Sequence, residues 1–197
     1  MGTRGPKHGC LIGRALQKHI FSAQNPINIP LFSFQEADGT ALAVFSSGTS
    51  NVPGYSLDNS EALSIRWNDS ATPDPIGTTV FMPKDLDDSQ DVVIHIMASK
   101  HGATLADATT FTCQAFFQTV GALHDADADA GGDTTAMTGD AAAKTVQEVT
   151  LTIAAADVPA APAVMTLTIQ PTDDLLDTDD VSIHAVWLEY TPQILAA

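Results

Sequence analysis

The chain has 197 residues, a length that suits one domain, and 44% of them are hydrophobic, which excludes global disorder. The formal net charge is −16. A surface that negative repels nucleic-acid phosphates and anionic lipids, which argues against a nucleic-acid or membrane partner for the bulk of the chain.

Residues 1 to 28 read as a basic arm. Arg4, Lys7, Arg14 and Lys18 are half of the eight basic residues, and no acid precedes Glu36. Leu11, Ile12, Ala15, Leu16, His19 and Ile20 recur at the spacing of a short amphipathic helix. Such a helix is marginal alone and needs a partner surface. Pro26 and Pro30 then turn the chain extended. Arg14 and Lys18 interrupt the apolar stretch an export signal needs, and Pro6 stands where a myristoylation pattern wants Ser or Thr. No apolar run approaches a membrane span, so the expectation is a soluble chain made in the cytoplasm without export.

Beyond the arm, apolar and polar residues alternate between turn-rich connectors. Strands are predicted at 29–34 and 41–47, around the turn Asp38-Gly39, and at 62–67, 78–82, 91–99, 109–120, 145–153, 164–169 and 181–190. Residues 48–61 read as a loop from their Gly, Pro, Asn and Ser content. Alternation puts Val92, Ile94 and Ile96 on one face and Val93, His95 and Met97 on the other; Val149, Leu151 and Ile153 on one face opposite Glu148, Thr150 and Thr152; and Met165, Leu167 and Ile169 inward against Thr166 and Thr168. The last predicted strand is apolar on both faces. About nine strands without a long helix predict an all-β, antiparallel, jelly-roll-like β-sandwich over residues 29–197, with an immunoglobulin-like sandwich as the alternative.

Candidate sites are few. The stretch His124 to Asp140 carries Asp125, Asp127, Asp129 and Asp133, but a helix–loop–helix calcium loop starting at Asp125 would have Ala130 at its glycine position and Ala136 at its bidentate acid. A solvated acidic loop is the better reading, and the acidic run 171–180 reads likewise as a polar turn. The histidines His8, His19, His95, His101, His124 and His184 show no zinc-motif spacing, and His95 and His184 fall within strands, as hydrogen-bonded structural residues. Trp67 and Trp187 lie among apolar neighbours and are expected in the core, as is Cys113. No nucleophile elbow, phosphate-cradling glycine loop or assignable carboxylate pair occurs, so no catalytic residue, metal ligand or cofactor is expected.

The segment "RWNDSATPDPIGTTVFMPKDLDDSQDVVIHIMASK", with "DADADAGGD", "VQEVTLTIAAADVP" and "DDLLDTDDVSIHAVWLEY" after it, resembles tailed-bacteriophage virion proteins of the capsid decoration, or cement, type over about residues 62 to 190. The resemblance implies a non-catalytic jelly-roll module on the exterior of the phage head, a symmetric oligomer bound to the major capsid protein. On this expectation the body forms a homotrimer. Arg4, Lys7, Arg14 and Lys18 would supply complementary charge to the capsid, and Leu11, Leu16 and Ile20 apolar burial. The alternative is a head-fibre or tail-associated glycan-binding β-sandwich.

Overall fold

The computed structural model describes residues 25–45, 51–58, 62–68, 72–101, 109–121, 130–137, 145–172 and 180–193. Among them are eleven strands: β1 (Asn25–Ile29), β2 (Gln35–Glu36), β3 (Gly54–Asp58), β4 (Ala62–Trp67), β5 (Ile76–Phe81), β6 (Val92–Lys100), β7 (Phe111–Thr119), β8 (Ala130–Asp133), β9 (Gln147–Ile153), β10 (Ala163–Pro171) and β11 (Val181–Tyr190). They form two antiparallel sheets. One runs β3-β4-β11-β6-β9, with β1 also paired to β11; the other runs β2-β5-β10-β7-β8. From β5 onward the chain passes repeatedly between the sheets, and the product is the expected jelly-roll-like β-sandwich.

Alternation decides what lies between the sheets. Val92, Ile94 and Ile96 of β6 are buried against Phe111, Cys113, Ala115 and Phe117 of β7 and Met165, Leu167 and Ile169 of β10. Of the face shared by Val149, Leu151 and Ile153, Val149 and Ile153 are buried, while Leu151 packs against the core only partly covered. Trp67 is fully buried, its ring 6.4 Å from that of Phe111. Its indole N–H donates to the Asp74 carbonyl at 2.8 Å, so the one polar atom of the ring is satisfied.

Several elements differ from the sequence expectation. The boundary at residue 28 falls inside a strand, because Asn25–Ile29 pairs with β11 from Asn25↔Tyr190 to Ile29↔Val186. The predicted strand 29–34 is instead the end of β1 and a 3-10 turn at Leu31–Ser33. Residues 41–45 make only isolated bridges, Gln35↔Ala41 and Val44↔Tyr55. The loop expected at 48–61 contains β3, and the end of the acidic stretch supplies β8. Both are short strands of Gly-rich or polar sequence, formed by pairing with β4 and β7 rather than by their own propensity.

Trp187 is a further correction, since it does not enter the core. The register of β11 on β6 shifts between Ile183 and Ala185. One extra residue reverses the phase of the alternation. Val181 and Ile183 point inward before it, and Val186 and Leu188 after it. Trp187 therefore stands on the outer face, half-buried, stacked on His95 with ring centroids 4.8 Å apart and planes 9° from parallel.

Two glycines with different surroundings test this packing. A Cβ at Gly54 would lie 2.7 Å from backbone atoms of Phe45, whereas one at Gly77 meets nothing nearer than 3.8 Å. Gly54→Ala is expected to lower unfolding stability by about 1–3 kcal/mol. Gly77→Ala should leave the urea midpoint unchanged or slightly raised, and urea titration of both variants checks the pair.

Candidate functional site

The outward residues of the five-stranded sheet share one chemistry. In cross-strand register they form a row Phe81–Val164–Gln118, a row Thr79–Thr166–Phe116 and a row Gln35–Gly77–Thr168–Gln114–Gly131. All are amides, hydroxyls, apolar or aromatic groups, or glycine. The five strands contain no lysine, arginine or histidine, and their only acids are Glu36 and Asp133 at the two edges. Within the described residues, no side-chain hydrogen bond engages Gln35, Thr79, Gln114, Gln118, Thr166 or Thr168. Their donors and acceptors are thus available to a ligand.

Relief is provided by the glycines and by the turn that follows β2. Gly77 lacks a side chain between Gln35 and Thr168, and the turn through Glu36, Ala37 and Gly39 rises beside it. Together they enclose a hollow of about 390 Å³ floored by Thr79, Thr166 and Thr168. The turn is held by the Thr40 N–H, which donates to the Asp38 carboxylate at 2.8 Å and lowers its pKa below the ordinary aspartate value. Gly39 sits at φ 86°, a conformation that favours glycine. A second, more apolar cleft of about 520 Å³ opens at the Phe81–Val164–Gln118 end of the same face. At the opposite end the polar groups are already paired: Thr112 donates to Asp133 at 2.7 Å, and the Gln170 amide to the Pro73 carbonyl at 2.7 Å.

The outer face of the six-stranded sheet has the opposite character. His95 lies between two carboxylates, with Nδ1 2.6 Å from Glu148 Oε1 and Nε2 3.5 Å from Glu189 Oε2. Arg66 pairs with Asp180, its Nε 2.9 Å from the carboxylate, and its guanidinium sits 4.8 Å above the Phe45 ring. Two serine–histidine pairs stand side by side: Ser99 Oγ is 2.8 Å from His184 Nε2, and Ser182 Oγ is 2.8 Å from His101 Nε2. This is the spacing of a nucleophile and its base, but both serines are buried. His95 and His184 are hydrogen-bonded residues of the sheet, as their sequence positions suggested. This face spends its polar groups on itself.

The remaining sequence candidates fall as follows. Arg4, Lys7, Leu11, Arg14, Leu16, Lys18 and Ile20 lie outside the described residues, as do His8, His19, His124, Asp125, Asp127, Asp129, Asp140 and the acids of 173–179. Asp133 is bonded to Thr112 and Asp180 to Arg66. Among the described residues no three His, Cys, Asp or Glu side chains gather as metal ligands, and no helix is long and apolar enough to cross a membrane. Sequence reasoning did not single out Gln114, Phe116, Thr166 and Thr168. Their signal was present: in a chain so rich in acid, the outward positions of two nine-residue strands carry no charge.

The fold defines the class: a two-sheet antiparallel β-sandwich of jelly-roll type. No family model and no curated protein matches the chain. Among solved structures it is similar to the xylan-binding module CBM15, at 15% identity and a TM-score of 0.50, over 87% of this chain and 100% of that one. It also matches the CBM22-2 xylan-binding domain from Paenibacillus barcinonensis Xyn10C, at 12% identity, a TM-score of 0.44, and 85% and 99% coverage. A third is Caldicellulosiruptor saccharolyticus CBM27-1 in complex with mannohexaose, at 13% identity, a TM-score of 0.43, and 84% and 97% coverage. At these identities the likeness is one of fold.

Cys113 lies beneath the polar face, buried between the sheets. Burial, reinforced by the nearby Asp133 carboxylate, pushes its thiol up to about 12. In a Cys10→Ser background the native protein should therefore be inert to a thiol-specific reagent at pH 8. One equivalent should react once denaturant is added, as absorbance titration of the released chromophore would show.

Proposed function

We propose that this chain is a non-catalytic glycan-binding β-sandwich module, and that it holds an uncharged polysaccharide along the outer face of the five-stranded sheet. The observation that carries this is the strip of unspent amides and hydroxyls, Gln35, Thr79, Gln114, Thr166 and Thr168, around Phe116. A sugar chain presents hydroxyls that both donate and accept, and amides and threonines answer both roles. Its C–H faces are apolar, and Phe116 offers a ring among the polar groups. The five strands carry no cation, which matches an uncharged ligand, because a uronate or phosphate desolvated over the central strip would find no counter-charge in them. The fold shared with a xylan-binding module agrees with this reading.

A second reading concerns where such a module sits. The resemblance over residues 62 to 190 and the opposition between a basic arm and an acidic body favour placement on a tailed-phage virion. There the arm residues Arg4, Lys7, Arg14 and Lys18 would anchor a homotrimer to the major capsid protein. The cement role and the glycan role use different parts of the chain and separate experimentally. Removing residues 1–24, which spares β1, should leave the body folded and its glycan binding intact while abolishing capsid binding. A truncated protein that still saturated capsids would remove the cement reading.

The glycan reading is tested by affinity electrophoresis in gels containing neutral polysaccharides. Retardation is expected with at least one of them. It should persist at about 0.5 M salt, where exposed-charge interactions are screened, and in the presence of chelator. Gly77→Val puts a side chain into the hollow at a position where a Cβ meets nothing nearer than 3.8 Å, and Gln114→Ala removes a hydrogen-bonding amide; each should weaken binding about 5- to 10-fold, with the urea midpoint of each variant measured alongside. Equal retention of wild type and Gly77→Val would place any sugar binding elsewhere.

A further inference from the structure

We propose that the polysaccharide recognised on this face carries ester-linked acyl groups, and that the apolar cleft at the Phe81–Val164 end receives them. The inference rests on the glycan reading above and names the ligand's substitution. The cleft and the polar strip are continuous. The row Phe81–Val164–Gln118 is one two-residue step along the strands, about 7 Å, from the row Thr79–Thr166–Phe116. A substituent on a sugar held by Thr166 and Phe116 therefore reaches the cleft while the sugar ring stays on the strip.

The walls of the cleft suit an acyl group better than a bare sugar. Phe81 is 78% exposed and Val120 94% exposed, and Met82, Pro83, Pro162 and Val164 complete an apolar lining. Against these apolar side chains the hydroxyls of an unsubstituted sugar would lose their water partners, with only Gln118, Thr119 and Lys84 of the lining to replace them. An acyl chain covers them, and its ester carbonyl needs one donor. Gln118 and Lys84 line the same cleft and carry amide and ammonium donors. The ester is uncharged, in keeping with the uncharged outward residues of β5, β7 and β10. The volume, about 520 Å³, accommodates an acetyl group and larger acyl groups.

The test is calorimetric titration with soluble xylo- and glucomanno-oligosaccharides, each in acetylated form and after mild alkaline deacetylation. Acetylated oligosaccharides should bind about four-fold or more tightly than their deacetylated forms, the gain from burying one methyl group. Phe81→Ser, at a largely exposed position where folding is insensitive, should lose that preference and keep the affinity for the deacetylated form. Gly77→Val should weaken both. Equal affinity for the two forms overturns the acyl inference and leaves the glycan reading standing. Acetyl preference that survives Phe81→Ser overturns the assignment to this cleft. Absence of binding to every form overturns the acyl inference, and it overturns the glycan reading as well when no neutral polysaccharide retards the protein in the gel.

Discussion

The dry contact between the two sheets governs everything else in the molecule. Each sheet excludes water from one side only if every second residue of its strands is apolar, and the side chains of β6 and β11 must interdigitate with those of β7 and β10. Ile94, Ile96, Met165, Leu167 and Ile169 are fully buried as a result. The same requirement fixes the register, because a one-residue slip would expose a whole row of such side chains. It also explains why the bulge in β11 is tolerated only with its phase change: Val186 and Leu188 take over the inward positions, and Trp187 is turned outward onto His95.

Once the inner faces are committed, the outer faces are free to carry chemistry, and the two sheets use that freedom differently. The six-stranded sheet closes its polar groups on one another through His95 with Glu148 and Glu189, Arg66 with Asp180, and the two serine–histidine pairs. The five-stranded sheet leaves its amides and hydroxyls open and contains no cation in its strands. In a chain of net charge −16, the strands of this sheet carry charge only at the two edges, in Glu36 and Asp133, and the strip between them is made of neutral polar groups.

Much of the scaffold was legible in the residues. β4, β5, β6, β7, β9, β10 and β11 coincide with predicted strands to within a few positions, because each is long enough for its alternation to be unambiguous. β3 and β8 were not legible: GYSLD offers only Tyr55 and Leu57, too short an alternation beside Gly and Pro, AGGD offers none, and both are strands because β4 and β7 give them hydrogen-bonding edges. The outward position of Trp187 was hidden for another reason. A strand apolar on both faces has two equivalent phases, and only the bulge chooses between them.

By itself the sequence determined that the body is all-β, which residues of three of its strands share a face, and that basic and acidic residues are segregated along the chain. These are local properties: a period of two and a distribution of charge need no knowledge of neighbours. Only the tertiary structure decided which outward residues lie side by side. Gln35, Gly77, Thr168, Gln114 and Gly131 come from five separate strands and meet because β10 sits between β5 and β7. Alternation states which face a side chain takes and nothing about which strand lies beside it. Strand pairing is set by burial across the whole sandwich, and the site exists only at that level.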